Sequence, residues 1–137
     1  KLRLKAYEIG DGMITIGWGH AEPKSKSKYK EGQKITIDEA RILLYKDVND
    51  AVNGLRRIFK QWQDKGIYVN INQNQYDVMV SMIYNMGIGN FRKSDFIQQV
   101  KKNNLKIAAE LIKTTSISSK FPGLKKRRLR EYKKFIS

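Results

Sequence analysis

The sequence predicts an α+β fold, a small β start followed by helices, from three observations. Residues near the N-terminus alternate apolar and polar with period two; from Thr36 onward apolar residues recur at helical spacing; and a Lys- and Ser-rich stretch separates the two regimes. Leu2, Leu4 and Ala6 alternate with Arg3, Lys5 and Tyr7, and "EIGDGM" then supplies turn chemistry through Gly10, Asp11 and Gly12. Ile14, Ile16 and Trp18 alternate with Thr15 and Gly17, so the two stretches read as a β-hairpin. "AEPKSKSKYKEGQK", with Pro23 and Gly32, reads as a loop that can hold no core.

"TIDE" is a capping box: Thr36 caps the first free amides of a helix and Glu39 reaches back. Ala40, Leu43, Leu44, Val48, Ala51 and Leu55 then recur on one face, and the helix runs on through Ile58 and Phe59 to about Trp62, with Gly66 ending what remains. A second helix from about Gln73 to Met86 sets Tyr76, Met79, Val80, Ile83 and Tyr84 on one face and stops at "GIG". Ser94 caps a helix through Val100; Leu105 to Ile112 and Leu124 to Phe135 read as two more. No internal repeat and no low-complexity tail interrupts this order.

At 137 residues the chain is one domain by length, large enough to bury roughly two-thirds of its unfolded surface. No apolar run approaches the roughly 20 residues that span a bilayer, and no signal-peptide pattern is present. Zero cysteines exclude disulfides and thiolate chemistry, and a single histidine argues against a multi-histidine metal centre, so no metal and no cofactor is expected. The 28 Lys and Arg against 13 Asp and Glu give a net charge of +15, which implies an anionic neighbour. Nucleic acid, a membrane surface and the bacterial cell wall all fit that charge, as does a merely solubilising surface.

The successive words "LRLKAY", "TIGWGH", "ITIDEARILLYKDVNDAV", "QNQYDVMVSMIYNMGIGNF" and "PGLKKRRLREY" resemble, in order and over nearly the whole chain, the phage-type lysozymes, the endolysin muramidases of glycoside hydrolase family 24. The resemblance implies a lysozyme-like two-lobed fold in one domain, residues 1–137. The β lobe would occupy about 1–35, a connector helix about 37–62 and a helical lobe about 73–137, with the glycan running between the lobes. It implies hydrolysis of the β-1,4 bond between N-acetylmuramic acid and N-acetylglucosamine in bacterial peptidoglycan. Such chemistry needs a protonated carboxylic acid beside the leaving oxygen and a means of delivering water to the other face of the sugar, the two held roughly 6.5–9.5 Å apart in an inverting enzyme.

The resemblance assigns these roles to a Glu just before the "LRLKAY" word, an Asp in the turn after it and a Thr opening the T-I-G word. The Thr is Thr15; the Glu is expected one residue before Lys1, upstream of the sequence. At the usual place of the Asp stands Ile9, which cannot position water. Asp11, two residues on, takes the role if the turn is reshaped, with Glu8 a weaker substitute; the alternative is that Asp11 only stabilises a D-G turn. His20 is expected to pair with Asp47 as a structural contact between strand and helix rather than to act as a proton carrier.

Gly17 and Gly19 let backbone and sugar approach closely, which makes Gly19 a substrate-binding candidate. Tyr84, Asn85 and Ser94 resemble the glycan-binding wall, each against the alternative of packing or capping. Arg127 or Arg128 is the arginine expected near the catalytic acid, while Lys125, Lys126, Arg130, Lys133 and Lys134 form a basic face suited to anionic cell-wall polymers. The expected partners are thus peptidoglycan and such polymers, met as a monomer at the cell wall, with no nucleic acid and no membrane span. Two other functions remain: a wall-binding homologue that has lost its acids, and a nucleic-acid-binding protein supported only by charge and by Tyr among the cations of the last helix.

Overall fold

The computed structural model describes residues 2–114 and 122–137, with side chains of the last helix described from Lys125 onward. The chain divides into two compact units, Lys1–Asp50 and Ala51–Ser137. In the first unit β1 (Arg3–Tyr7), β2 (Met13–Gly17) and β3 (His20–Pro23) form one antiparallel sheet in the order β1-β2-β3. The expected hairpin is therefore a three-stranded sheet, and the first residues of the expected loop are its third strand. The cause is a reversal inside the "TIGWGH" word: Gly17 and Gly19 both have positive φ, so the chain doubles back at once and His20 pairs with Ile16.

The alternation expected in β1 holds only in part, because the β1–β2 register shifts between Arg3 and Tyr7; Ala6 is buried and Leu4 is exposed. Residues 24–34 lie as a loop tied to β1 by backbone hydrogen bonds, from Ala6 to Gln33, from Gly32 to Ala6 and from Ile35 to Leu4, each 2.8 Å. Ala6, Ile14, Ile16, Ile35 and Ala40 form this unit's small core, with Leu2, Trp18, Tyr29 and Leu43 packed against it.

Helix α1 (Ile37–Asp64) opens on the expected capping box: Thr36 Oγ1 accepts from the Glu39 amide at 3.1 Å, and Glu39 Oε1 accepts from the Thr36 amide at 3.2 Å. The boundary between the units falls within this helix, after Asp50. The second unit adds α2 (Gln73–Met86), α3 (Ile88–Lys93), α4 (Asp95–Lys101), α5 (Leu105–Ile112) and α6 (Pro122–Ile136). A reciprocal box of Asn72 and Gln75 caps α2, and Gly87, at φ 84°, ends it. Helix α3 lies between the stop at "GIG" and Ser94, where the sequence predicts no element: the chain restarts after Gly87 and buries Phe91, a signal too short for periodicity to reveal.

The core of the second unit runs from Leu55, Ile58 and Trp62 of α1 through Val78, Met79, Met82 and Ile83 of α2 to Phe91, Phe96, Ile112 and Phe135. Its centre is aromatic: the Phe96 ring lies 5.9 Å from Phe91 and 5.7 Å from Phe135, centroid to centroid. Phe96→Ala is expected to cost about 3–5 kcal/mol, read as a lowered midpoint in urea unfolding with an unchanged slope.

Candidate active site

Strand β2 lies between its two neighbours and fixes Thr15 by register, opposite Tyr7 of β1 and Ala21 of β3. Successive side chains of a strand point to opposite faces. Ile14 and Ile16, at 3% and 0% exposure, face the core, so Thr15 stands on the other face, half-buried. Asp11 lies exposed in the turn between β1 and β2, where Gly10 and Gly12 both have positive φ and Asp11 Oδ1 accepts from the Met13 amide at 3.0 Å. Ile9 is 64% exposed in the same turn, and Glu8 is held by Lys24 at 3.0 Å. Among the described residues no hydrogen bond joins Asp11 to Thr15. Gly19 is exposed in the turn between β2 and β3.

His20 sits among charges. Its Nδ1 is 2.9 Å from Asp47 Oδ2 on α1, and its Nε2 is 2.8 Å from Glu22 Oε2 on its own strand. The Tyr29 ring meets it edge-on at 6.4 Å. Burial lowers the basicity of the ring, but hydrogen bonds and charge from Glu22 and Asp47 outweigh it and raise the pKa above its ordinary 6.5. The hydrogen bond from His20 in turn lowers the Glu22 carboxyl below its ordinary 4.5, against its own burial. Glu22 was absent from the sequence expectation; its signal is the spacing of two from His20, which puts both side chains on one face once the stretch is a strand.

In the second unit Asn85 and Arg127 are brought together, the guanidinium donating to Asn85 Oδ1 while Asn85 Nδ2 donates to the Ser81 carbonyl at 2.7 Å. Tyr84 is half-buried against the core. Ser94 caps α4, its Oγ accepting from the Ile97 amide at 3.2 Å and donating to the Phe91 carbonyl at 2.7 Å. Arg128, only 1% exposed, pairs with Glu131 one turn on. Burial raises the Glu131 carboxyl against the pull of Arg128, Ser81 and Arg127, and burial lowers Arg128. Among the described residues Arg128 Nε and Glu131 Oε2 have no hydrogen-bond partner, though both are buried. Glu131 was likewise missed, though its spacing of three from Arg128 is that of a helical ion pair. Among the described residues no group of three or more His, Asp or Glu side chains is placed to hold a metal ion, and no helix is long and apolar enough to cross a membrane.

The family model described as phage lysozyme matches residues 1–131. The chain belongs to the phage lysozyme family. It is 34% identical to the endolysin of Salmonella phage P22 over 139 residues, covering 98% of this chain and 88% of that protein. It is 33% identical to the endolysin of Bacillus phage B103 over 99% of this chain, but spans only 49% of that protein's length. Among solved structures it resembles the muramidase domain of SpmX from Asticaccaulis excentricus, with a TM-score of 0.77 and 27% identity over 100% of this chain and 88% of that one. As a phage lysozyme the chain is a peptidoglycan-cleaving glycoside hydrolase of the endolysin type.

The His20 cluster makes stability depend on pH in a definite direction. With its folded pKa raised, His20 contributes stability that is fully present below about pH 6.5 and lost as pH rises through the folded value. With its folded pKa lowered, Glu22 contributes stability present above about pH 4.5 and lost as pH falls through the folded value. The cluster therefore stabilises most between these limits. Asp47→Asn is expected to cost about 2 kcal/mol at pH 5.5 and clearly less at pH 9, measured by urea unfolding at both.

Proposed function

We propose that this phage lysozyme cleaves the β-1,4 bond between N-acetylmuramic acid and N-acetylglucosamine with inversion at the anomeric carbon. A Glu immediately before Lys1 in the parent protein protonates the leaving oxygen, and a water bound by Thr15 attacks from the opposite face of the sugar. Asp11 takes the proton of that water. Its Oδ1 is engaged by the Met13 amide, which leaves Oδ2 as the accepting atom.

Thr15 carries the proposal. A hydroxyl on a central strand, on the face opposite two buried isoleucines, is held rigidly and kept out of the packed interior. A hydroxyl both donates and accepts, so it can orient water without taking charge. Gly19, in the turn that follows the strand, lets the sugar approach; Tyr84 offers a ring and Asn85 an amide to the glycan, with Ser94 at the junction of α3 and α4 as a further candidate. Of the two arginines that the resemblance sets near the acid, Arg128 is committed to Glu131, which favours Arg127 for that role. The domain works as a monomer, a single lysozyme-like domain acting at the bacterial wall.

One observation favours the second reading, a wall-binding homologue with impaired catalysis. Ile9, which cannot position water, stands exposed where the resemblance expects a carboxylate. Both readings are tested with the parent protein on purified peptidoglycan, by release of new reducing ends; binding without release, despite an upstream Glu, supports the second.

Thr15→Val is expected to lower kcat by about 10²-fold or more with an unchanged Tm. Asp11→Asn keeps an acceptor for the Met13 amide but no base, so it separates the roles: a comparable loss of kcat assigns the base to Asp11, and full activity leaves Asp11 only its part in the turn. The anomer formed first, read by proton NMR, is expected to be α, as inversion of a β bond requires.

A further inference from the structure

Within Ala51–Ser137, the end of α1 together with α3 and α4 encloses a pocket of about 200 Å³. It lies below the roughly 300–1,000 Å³ of sites for drug-sized ligands, which suits a small group. Its apolar lining is Ile58, Trp62 and Ile97, all buried. Around them stand Lys65, in the turn just after α1, Arg92 of α3 and Lys101 of α4, the first two exposed and the third half-buried, and among the described residues no carboxylate lines the pocket. Gln61 and Gln98 fix the arginine, its Nη1 donating to Gln61 Oε1 at 2.9 Å and Gln98 Nε2 donating to its carbonyl at 3.2 Å.

Among the described residues none of the three cations has an ion-pair partner. Asp64, beside Lys65 in sequence, is engaged by Lys60 at 3.3 Å, and Asp95 lines a different pocket. Three cations without an ion-pair partner line one small cavity above a buried apolar floor, and together they raise the positive potential there. A carboxylate offers two oxygens and one charge, matched by one arginine. A phosphate offers oxygens on several sides, matched by an arginine fork and two lysine point charges arriving from different elements.

We infer that this pocket binds a phosphate group, supplied by the phosphodiester of an anionic polymer attached to the bacterial wall. The identity of the supplier rests on the wall-hydrolase reading above; the phosphate site does not.

The full parent protein is titrated by NMR with inorganic phosphate, and with acetate, at constant ionic strength. Saturable shifts at residues 61–65, 92 and 98–101 are expected with phosphate and not with acetate. Affinity should fall tenfold or more in Arg92→Gln/Lys101→Gln and stay unchanged in Lys102→Gln, an exposed lysine outside the pocket. Equal response to acetate, or equal loss in Lys102→Gln, overturns the site.

Retention on walls before and after removal of phosphodiester polymers identifies the supplier. Wild type is expected to bind intact walls more tightly than the double variant and to match it on stripped ones, both cleaving stripped peptidoglycan equally. Equal retention of both proteins on intact walls overturns the polymer assignment in favour of soluble phosphate, and tighter binding of duplex DNA through the same residues overturns it in favour of nucleic acid. If neither protein cleaves stripped peptidoglycan, the hydrolase reading fails, and the phosphate titration still decides the pocket.

Discussion

The imidazole of His20 is gripped from two sides, by Asp47 of α1 at one nitrogen and by Glu22 of β3 at the other. A neutral imidazole carries one donor and one acceptor, and only the imidazolium donates to both carboxylates. Burial disfavours that charge, yet the two carboxylates together outweigh it. The first unit converges on this ring. Strand β3 is bound through it to the start of α1 and through its ladder to β2, whose Thr15 pairs with Ala21, the residue between His20 and Glu22. Each N–H of the imidazolium is held by its own carboxylate and is poorly placed to move during a reaction, so the least ordinary side chain in the motif holds the strand.

How much of this could be read from the sequence differs by the range of the interaction. Helices α1 and α2 were legible almost to the residue, because their apolar spacing is long and their capping boxes are local. Strand β3 was not, because "HAEP" has no apolar alternation and is paired only through a glycine-built reversal hidden inside a motif. Within the candidate site, the spacing of motif words located Thr15, His20 and Asp47. The same counting sets Ile9 at the usual place of the Asp and leaves Asp11 two residues on, in a turn whose shape depends on Gly10 and Gly12. Glu22 and Glu131 were invisible to motif reading, because each acquires its meaning from a partner brought close only by folding.

Helix α6 shows what such a partner does. Among the described cations of this helix Arg128 alone is buried, and it would be intolerable there unpaired. Glu131 supplies the countercharge one turn along, and Ser81 of α2 favours the charged form of its carboxylate. Burial pushes both groups of the pair toward their neutral forms, so the ion pair is a poor source of net stability; apolar residues of equal volume would pack as well. Its value is in register. A helix whose exposed face is mostly basic, with Leu129 and Ile136 exposed as well, has few features to fix its rotation, and one buried charge pair fixes it.

The same unit leaves most of its charge uncompensated. Residues 51–137 contain eighteen of the 28 Lys and Arg but only five of the 13 Asp and Glu. Four of those acids, Asp64, Asp77, Glu110 and Glu131, are each already engaged by a cation. Adding lysines to such a surface raises self-repulsion and strengthens no internal contact, so the excess works against folding. Its field speeds encounter with a polyanion, but screening confines it to about 8 Å at physiological salt, too short to choose a bond. Approach and selection therefore need different parts of this chain: a diffuse cationic surface serves the first, and under the proposed mechanism the second falls to the strand that carries Thr15.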